Sequence, residues 1–132
     1  MAVGIAGCGH QAPFDIVPTS GKVQYEDGTP IPGNRLVVEF HSQAPPKNAK
    51  AHPRKGVAEC DRNGNFATVT TWKYGDGAIV GLQKIVLLSL DGQQQPTGAV
   101  PSDYANPSST PLAVEVIVGG PPLEFKIPTS KR

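Results

Sequence analysis

The chain has 132 residues, with 12 Lys plus Arg against 11 Asp plus Glu, a net charge of +1 and a mean hydropathy of -0.24. A chain of this length buries a sizeable core as one domain, and so even a charge balance offers no global field for nucleic acid or an anionic membrane surface, which confines any charged partner to local patches. With 15 Gly and 14 Pro between short apolar runs, and two cysteines lacking any CxxC or Cys/His ligand spacing, the composition indicates a loop-rich β protein rather than a disordered chain, a disulfide scaffold or a zinc site.

Met1 to Gly7 is small and apolar, and its last three residues with Cys8 make the tetrad Ile5-Ala6-Gly7-Cys8. It resembles the bacterial lipobox, in which a branched apolar residue and two small ones fit the signal peptidase cleft and the cysteine thiol receives a diacylglyceryl group. The resemblance implies lipidation at Cys8 and a membrane partner reached through that lipid. A secretion signal also needs a basic n-region and a longer apolar stretch than the residues before Cys8 supply, so the true start is expected upstream of Met1. Acyl chains contribute about 0.8 kcal/mol per buried methylene, and two or three of them anchor stably where one is marginal. Residues 9–18 carry little periodicity and are expected to form a flexible leash.

From Gly21 the apolar residues alternate: Val23 and Tyr25 on one face, Lys22, Gln24 and Glu26 on the other. Asp27-Gly28 marks a turn, and Pro30, Pro32 and Gly33 lead to a second strand over Arg35–His41 with Leu36, Val38 and Phe40 inward. A third strand, Gly56–Cys60, is expected to form a hairpin with a fourth, Asn65–Thr71, across Arg62-Asn63-Gly64, because Asn-Gly tolerates the positive φ of a tight turn. Leu82–Leu90 is the most continuous apolar run and predicts a central strand buried on both sides for part of its length. Leu112–Val118 alternates, with Leu112, Val114, Val116 and Val118 on one face, and Gly119-Gly120-Pro121-Pro122 is expected to turn it into a last hairpin with Leu123, Phe125 and Ile127.

Seven short strands without a convincing helix predict an all-β fold, a seven-stranded antiparallel β-sandwich of transthyretin-like or immunoglobulin-like type. The expected organisation is a tether over 1–18, the sandwich over 19–128 and a tail over 129–132.

The succession Gly21-x-Val23-x-Tyr25-x-Asp27-Gly28-x-Pro30-Ile31-x-Gly33, then Val38-x-Phe40, then Asp61-x-Asn63-Gly64-x-Phe66 resembles the carboxypeptidase regulatory-like, or transthyretin-like, domain of many small planctomycete-type bacterial lipoproteins. Gly75-Asp76-Gly77-Ala78-x-x-Gly81 and Val100-Pro101-x-x-Tyr104 extend the likeness. It implies a fold and a cell-envelope location, periplasmic or surface-exposed, and no catalytic activity.

Several clusters bear on chemistry. Asp61-Arg62-Asn63-Gly64-Asn65 begins like a calcium loop but lacks the later oxygen ligands and the distant Glu, so a turn is the expected role, while Asp76 and Asp91 would add ligands only if the fold brought them near. His10, His41 and His52 lack ligand spacing, and no strained turn presents a serine near His41-Ser42 as a hydrolytic triad requires. No metal or cofactor is therefore expected, and a hydrolase or metal-dependent enzyme is the weakest of three functional readings. The loop over 41–55 carries Lys47, Lys50, His52, Arg54 and Lys55 with almost no acid, a patch suited to an acidic polysaccharide or simply a solvated loop. Trp72 and Tyr74 beside Gly75-Asp76-Gly77 would form a platform for a sugar ring, or Trp72 would cap the core at a sheet edge. Cys60, in an alternating strand, is expected to be a small buried hydrophobe rather than a reactive thiol. The leading expectation is a non-catalytic envelope lipoprotein with an envelope protein or polysaccharide as partner and no nucleic acid; a carbohydrate-binding module is the second.

Overall fold

The computed structural model describes residues 14–49 and 51–129. They form nine strands: β1 (Ile16–Val17), β2 (Gly21–Tyr25), β3 (Arg35–Ser42), β4 (Gly56–Cys60), β5 (Asn65–Phe66), β6 (Ala78–Ile79), β7 (Gly81–Leu90), β8 (Ala113–Val116) and β9 (Leu123–Ile127), with one short 3-10 helix at Ser102–Ala105. Three sheets result, ordered β4-β3-β7-β8, β5-β2-β9 and β1-β6. Every pairing is antiparallel except β2 with β9, which runs parallel from Gly21↔Leu123 to Tyr25↔Ile127.

The alternation within each strand explains how the larger sheets meet. Val23, Tyr25, Phe66, Phe125 and Ile127 from one and Leu36, Val38, Phe40, Ala58, Ile85, Leu87 and Val116 from the other enter a single buried cluster. Phe40 lies at its centre, edge-on to Phe66 at 6.1 Å and to Phe125 at 6.4 Å between ring centroids. Each such ring contributes about 1.5–3 kcal/mol by leaving water, and the edge-to-face geometry adds to it. The expected two-sided burial of the central strand is found: Ile85, Val86 and Leu87 are successive residues with almost no exposure.

Four expectations are corrected. The predicted strand Asn65–Thr71 is regular only over Asn65–Phe66, and the hairpin expected across Asn63-Gly64 forms only in part: Asp61 and Asn65 close the turn and Val57 bridges Thr70, while β5 itself pairs with β2. Gly64 has φ +88 as the turn chemistry requires, but the turn is a corner that carries the chain from β4 in one sheet to β5 in the other. The Gly119–Pro122 turn is likewise a corner, because β8 pairs with β7 while β9 pairs with β2. The strand before it is shorter than Leu112–Val118, and Val118, expected inside, is 75% exposed.

Packing also extends upstream of the expected boundary at residue 18, since Phe14 is buried and β1 pairs with β6. That last pairing depends on Gly77, at φ +123, where an added Cβ would collide with the Val17 carbonyl oxygen. Cys8 lies outside the described residues.

Candidate functional site

The site is assembled at the outer edge of β4. Val57 and Thr70 exchange two backbone hydrogen bonds, of 2.8 and 2.9 Å, in antiparallel fashion. The chain running back from β4 through Lys55 to Arg54 therefore lies alongside the chain running forward from Thr70 to Trp72. The outcome is a contact between residues 18 positions apart in sequence: the Arg54 guanidinium carbon stands 3.6 Å from the centroid of the Trp72 ring. A cation over an indole face is held by the ring quadrupole, and the planar guanidinium also stacks on it.

The loop that carries Trp72 is fixed by its own polar groups. The Asp76 carboxylate accepts hydrogen bonds from the backbone N–H groups of Thr71 (2.9 Å), Trp72 (3.0 Å) and Lys73 (2.8 Å). Thr71 Oγ1 donates to the Gly77 carbonyl at 2.6 Å, and the Gly75 N–H donates to Thr70 Oγ1 at 2.8 Å. Each bond satisfies a backbone group that a two-residue strand leaves unpaired, so the turn is rigid although it contains almost no regular structure. From it Tyr74 projects into solvent at 92% exposure, with Lys73 exposed beside it.

The remaining members of the basic loop are spread out. Lys55 pairs with Glu39 at 3.1 Å, and Glu39 also meets His41 at 2.9 Å. Burial alone would raise the Glu39 carboxyl, but the hydrogen bonds and charges of His41 and Lys55 outweigh it and hold the group below its ordinary value. Lys47 stands 5.5 Å from the Phe14 ring centroid, and Lys50 lies outside the described residues. His52 contacts the Ala49 carbonyl, so His41 and His52 serve different neighbours, and His10 lies outside the described residues. The structure thus joins one member of the basic loop, Arg54, to one of the two aromatics, Trp72. The expected hairpin of Gly56–Cys60 with Asn65–Thr71 runs these two stretches side by side, and the register of the Val57–Thr70 bridge sets Arg54 on Trp72.

The acidic residues have structural occupations. In the turn 61–65, Asp61 Oδ1 accepts from the N–H groups of Asn63 (2.9 Å) and Asn65 (3.0 Å). Those bonds, Asn65's foremost, lower the Asp61 pKa. Asp91 repeats the arrangement with Gln93 and Gln95, at 2.8 and 3.0 Å. Among the described residues no three of His, Cys, Asp and Glu converge as metal ligands.

A cleft of about 810 Å³ opens beside Lys22, Cys60, Asp61 and Glu124 over Phe66. Burial, with Asp61 and Glu59 adding repulsion, pushes the Cys60 thiol up to about 12, so it stays protonated at neutral pH and its nucleophilicity is suppressed. Cys60 is half-buried and packs on the core rather than lying fully inside it.

Compared with known proteins, the chain matches no family model, no curated protein and no solved structure. It is a small all-β protein of packed, mostly antiparallel sheets.

Proposed function

We propose that the chain is a non-catalytic binding module of the bacterial cell envelope, a transthyretin-like β-sandwich carried on lipid at Cys8, which recognises its partner with the loops over 51–55 and 70–76. The observation that carries the recognition surface is the Arg54–Trp72 stack beside a fully projecting Tyr74, on a turn whose backbone is fixed by Asp76. A rigid scaffold with exposed aromatic and cationic side chains on short loops loses little conformational entropy on binding. The lipobox-like tetrad Ile5–Cys8 supports the anchor, and the order of the turn motifs between Gly21 and Gly81 supports the sandwich type.

Metabolic labelling with a tagged fatty acid tests the anchor: the full chain expressed in a bacterial host behind an added basic and apolar signal segment, which the residues before Cys8 do not supply, takes up label that Cys8→Ser abolishes. Equal labelling of both proteins, or of neither, removes the lipoprotein reading. A second reading, favoured by the exposure of Tyr74, makes the module carbohydrate-binding. A glycan array probed with the full chain and with Trp72→Ala tests it, and an array on which the unmodified chain finds no glycan ends it.

A further inference from the structure

We infer that the Arg54–Trp72–Tyr74 surface binds acidic polysaccharide through its uronate units, an assignment that rests on the carbohydrate-binding reading and gives it a ligand class. Arg54 is exposed and its guanidinium is held over the indole, yet among the described residues no carboxylate pairs with it. Arg35 and Lys55, by contrast, are paired with Glu59 and Glu39. At 3.6 Å from the indole centroid the cation is engaged through its face, and a guanidinium so held on an exposed residue keeps N–H donors for a carboxylate, which takes two parallel hydrogen bonds.

The surroundings favour an anion. Asp76, the acid nearest in sequence to Trp72 and Tyr74, spends both carboxylate oxygens on three backbone amides, while Lys73 is exposed on the same turn. Two residues beyond Trp72, Tyr74 offers an uncovered ring, which suits the apolar C–H face of a pyranose. A uronate unit presents both features together, a flat sugar face and one carboxylate.

A neutral glycan offers the Arg54 donors hydroxyl acceptors only, without the charge-assisted pair of bonds that a carboxylate makes. A nucleic acid would need a row of cations to neutralise successive phosphates, whereas a chain of net charge +1 with one stacked arginine offers few. A uronate polymer, with one carboxylate per ring, matches so sparse a set.

Affinity electrophoresis and calorimetry of the full chain test the assignment with alginate and polygalacturonate, dextran as the neutral polymer, and polyphosphate and single-stranded DNA as the other polyanions. The expected result is retardation by the uronates and not by dextran or the phosphate polymers. Arg54→Gln and Tyr74→Ala are each expected to weaken uronate binding about tenfold or more. Arg54→Lys, which keeps charge but not the planar fork, should weaken it nearly as much. Both side chains are exposed, so unchanged thermal unfolding of the variants separates lost binding from lost folding. Equal retardation by dextran overturns the uronate assignment and leaves the carbohydrate reading standing. Binding to phosphate polymers as tight as to uronates overturns it in favour of a general polyanion surface. Binding to none of the polymers overturns the assignment, and the glycan array then decides the carbohydrate reading separately.

Discussion

The two edges of β4 are joined to the rest of the molecule in different ways. On one edge β4 pairs with β3 over five successive positions, from Leu36↔Cys60 to Phe40↔Gly56, and β3 in turn pairs with β7, so that Val38, Phe40, Ala58, Ile85 and Leu87 are buried together. On the other edge a single bridge at Val57↔Thr70 introduces the segment 67–77, whose order comes from Asp76, Thr70 and Thr71 bonding the backbone. The first edge is stabilised by burial that many side chains share, and the second by a few charge-assisted hydrogen bonds around one carboxylate. Recognition surfaces are easier to vary on the second kind of edge, because its conformation depends on few residues, with Val69 as its anchor in the core, while Ala67, Thr68, Lys73 and Tyr74 face water.

That contrast can be broken at the apolar edge first. Phe40→Ala should lose about 3–5 kcal/mol of global stability in denaturant unfolding, as large aromatic deletions in packed cores do, and every probe should report one transition. Asp76→Ala should cost less, about 1–3 kcal/mol, since three backbone donors lose a charged acceptor that water partly replaces. Hydrogen exchange should quicken at Thr71, Trp72 and Lys73 while the amides of β3 and β7 stay protected. Uniform acceleration across both regions would show that the two edges are not independent.

The ion-pair cluster at the start of β4 sharpens the comparison through pH. Glu39 is held below its ordinary value of 4.5, so the folded state favours the carboxylate. Its contribution is therefore present in full above that value and is lost as pH falls through the lowered folded pKa. Glu39→Gln should lower stability at neutral pH by roughly a few tenths of a kcal/mol, the size expected with a half-exposed lysine as partner, and the gap to the unmodified protein should close in acid. A gap that persists at low pH would assign the effect to packing.

An effect of similarly small size concerns two turns with one hydrogen-bond plan. In 61–65 and 91–95 the first residue's N–H donates to the fifth residue's carbonyl, and the fourth residue's N–H donates back to the first carbonyl. The fourth position is left-handed in both, Gly64 at φ +88 and Gln94 at φ +64. Gln94→Gly should raise stability by about 0.5 kcal/mol, relief of the left-handed cost exceeding the loss of the exposed bond from Arg35. A drop in melting temperature would mean that the Arg35 contact dominates.

The same contrast governs how much of the molecule could be read in advance. Strands β2, β3, β7 and β9 are long enough to show a period of two, and Val23, Phe40, Ile85, Phe125 and Ile127 are inside as the alternation requires. Strands β1 and β6, with two residues each, contain no period to detect. Turn chemistry located the corners at Asn63-Gly64 and Gly119–Pro122, but a turn's residues fix its backbone and not the sheet that the next strand joins. Trp72, Tyr74 and Arg54 were visible as residue types suited to binding. Their assembly was not read in advance, because it follows from the register of one antiparallel bridge and from Asp76, a residue weighed only as a cation ligand that no spacing required and whose carboxylate instead holds the loop.

Whether the recognition surface lies on the loop edge of β4 is tested most directly by titrating the 15N-labelled chain with an oligouronate and following its amide and indole resonances. The account predicts shifts concentrated at 52–55 and 70–76, with the Trp72 indole N–H among the largest, and little change along β3 and β7. Shifts centred instead on the cleft beside Lys22, Cys60 and Glu124, or no shifts at saturating ligand, would contradict it.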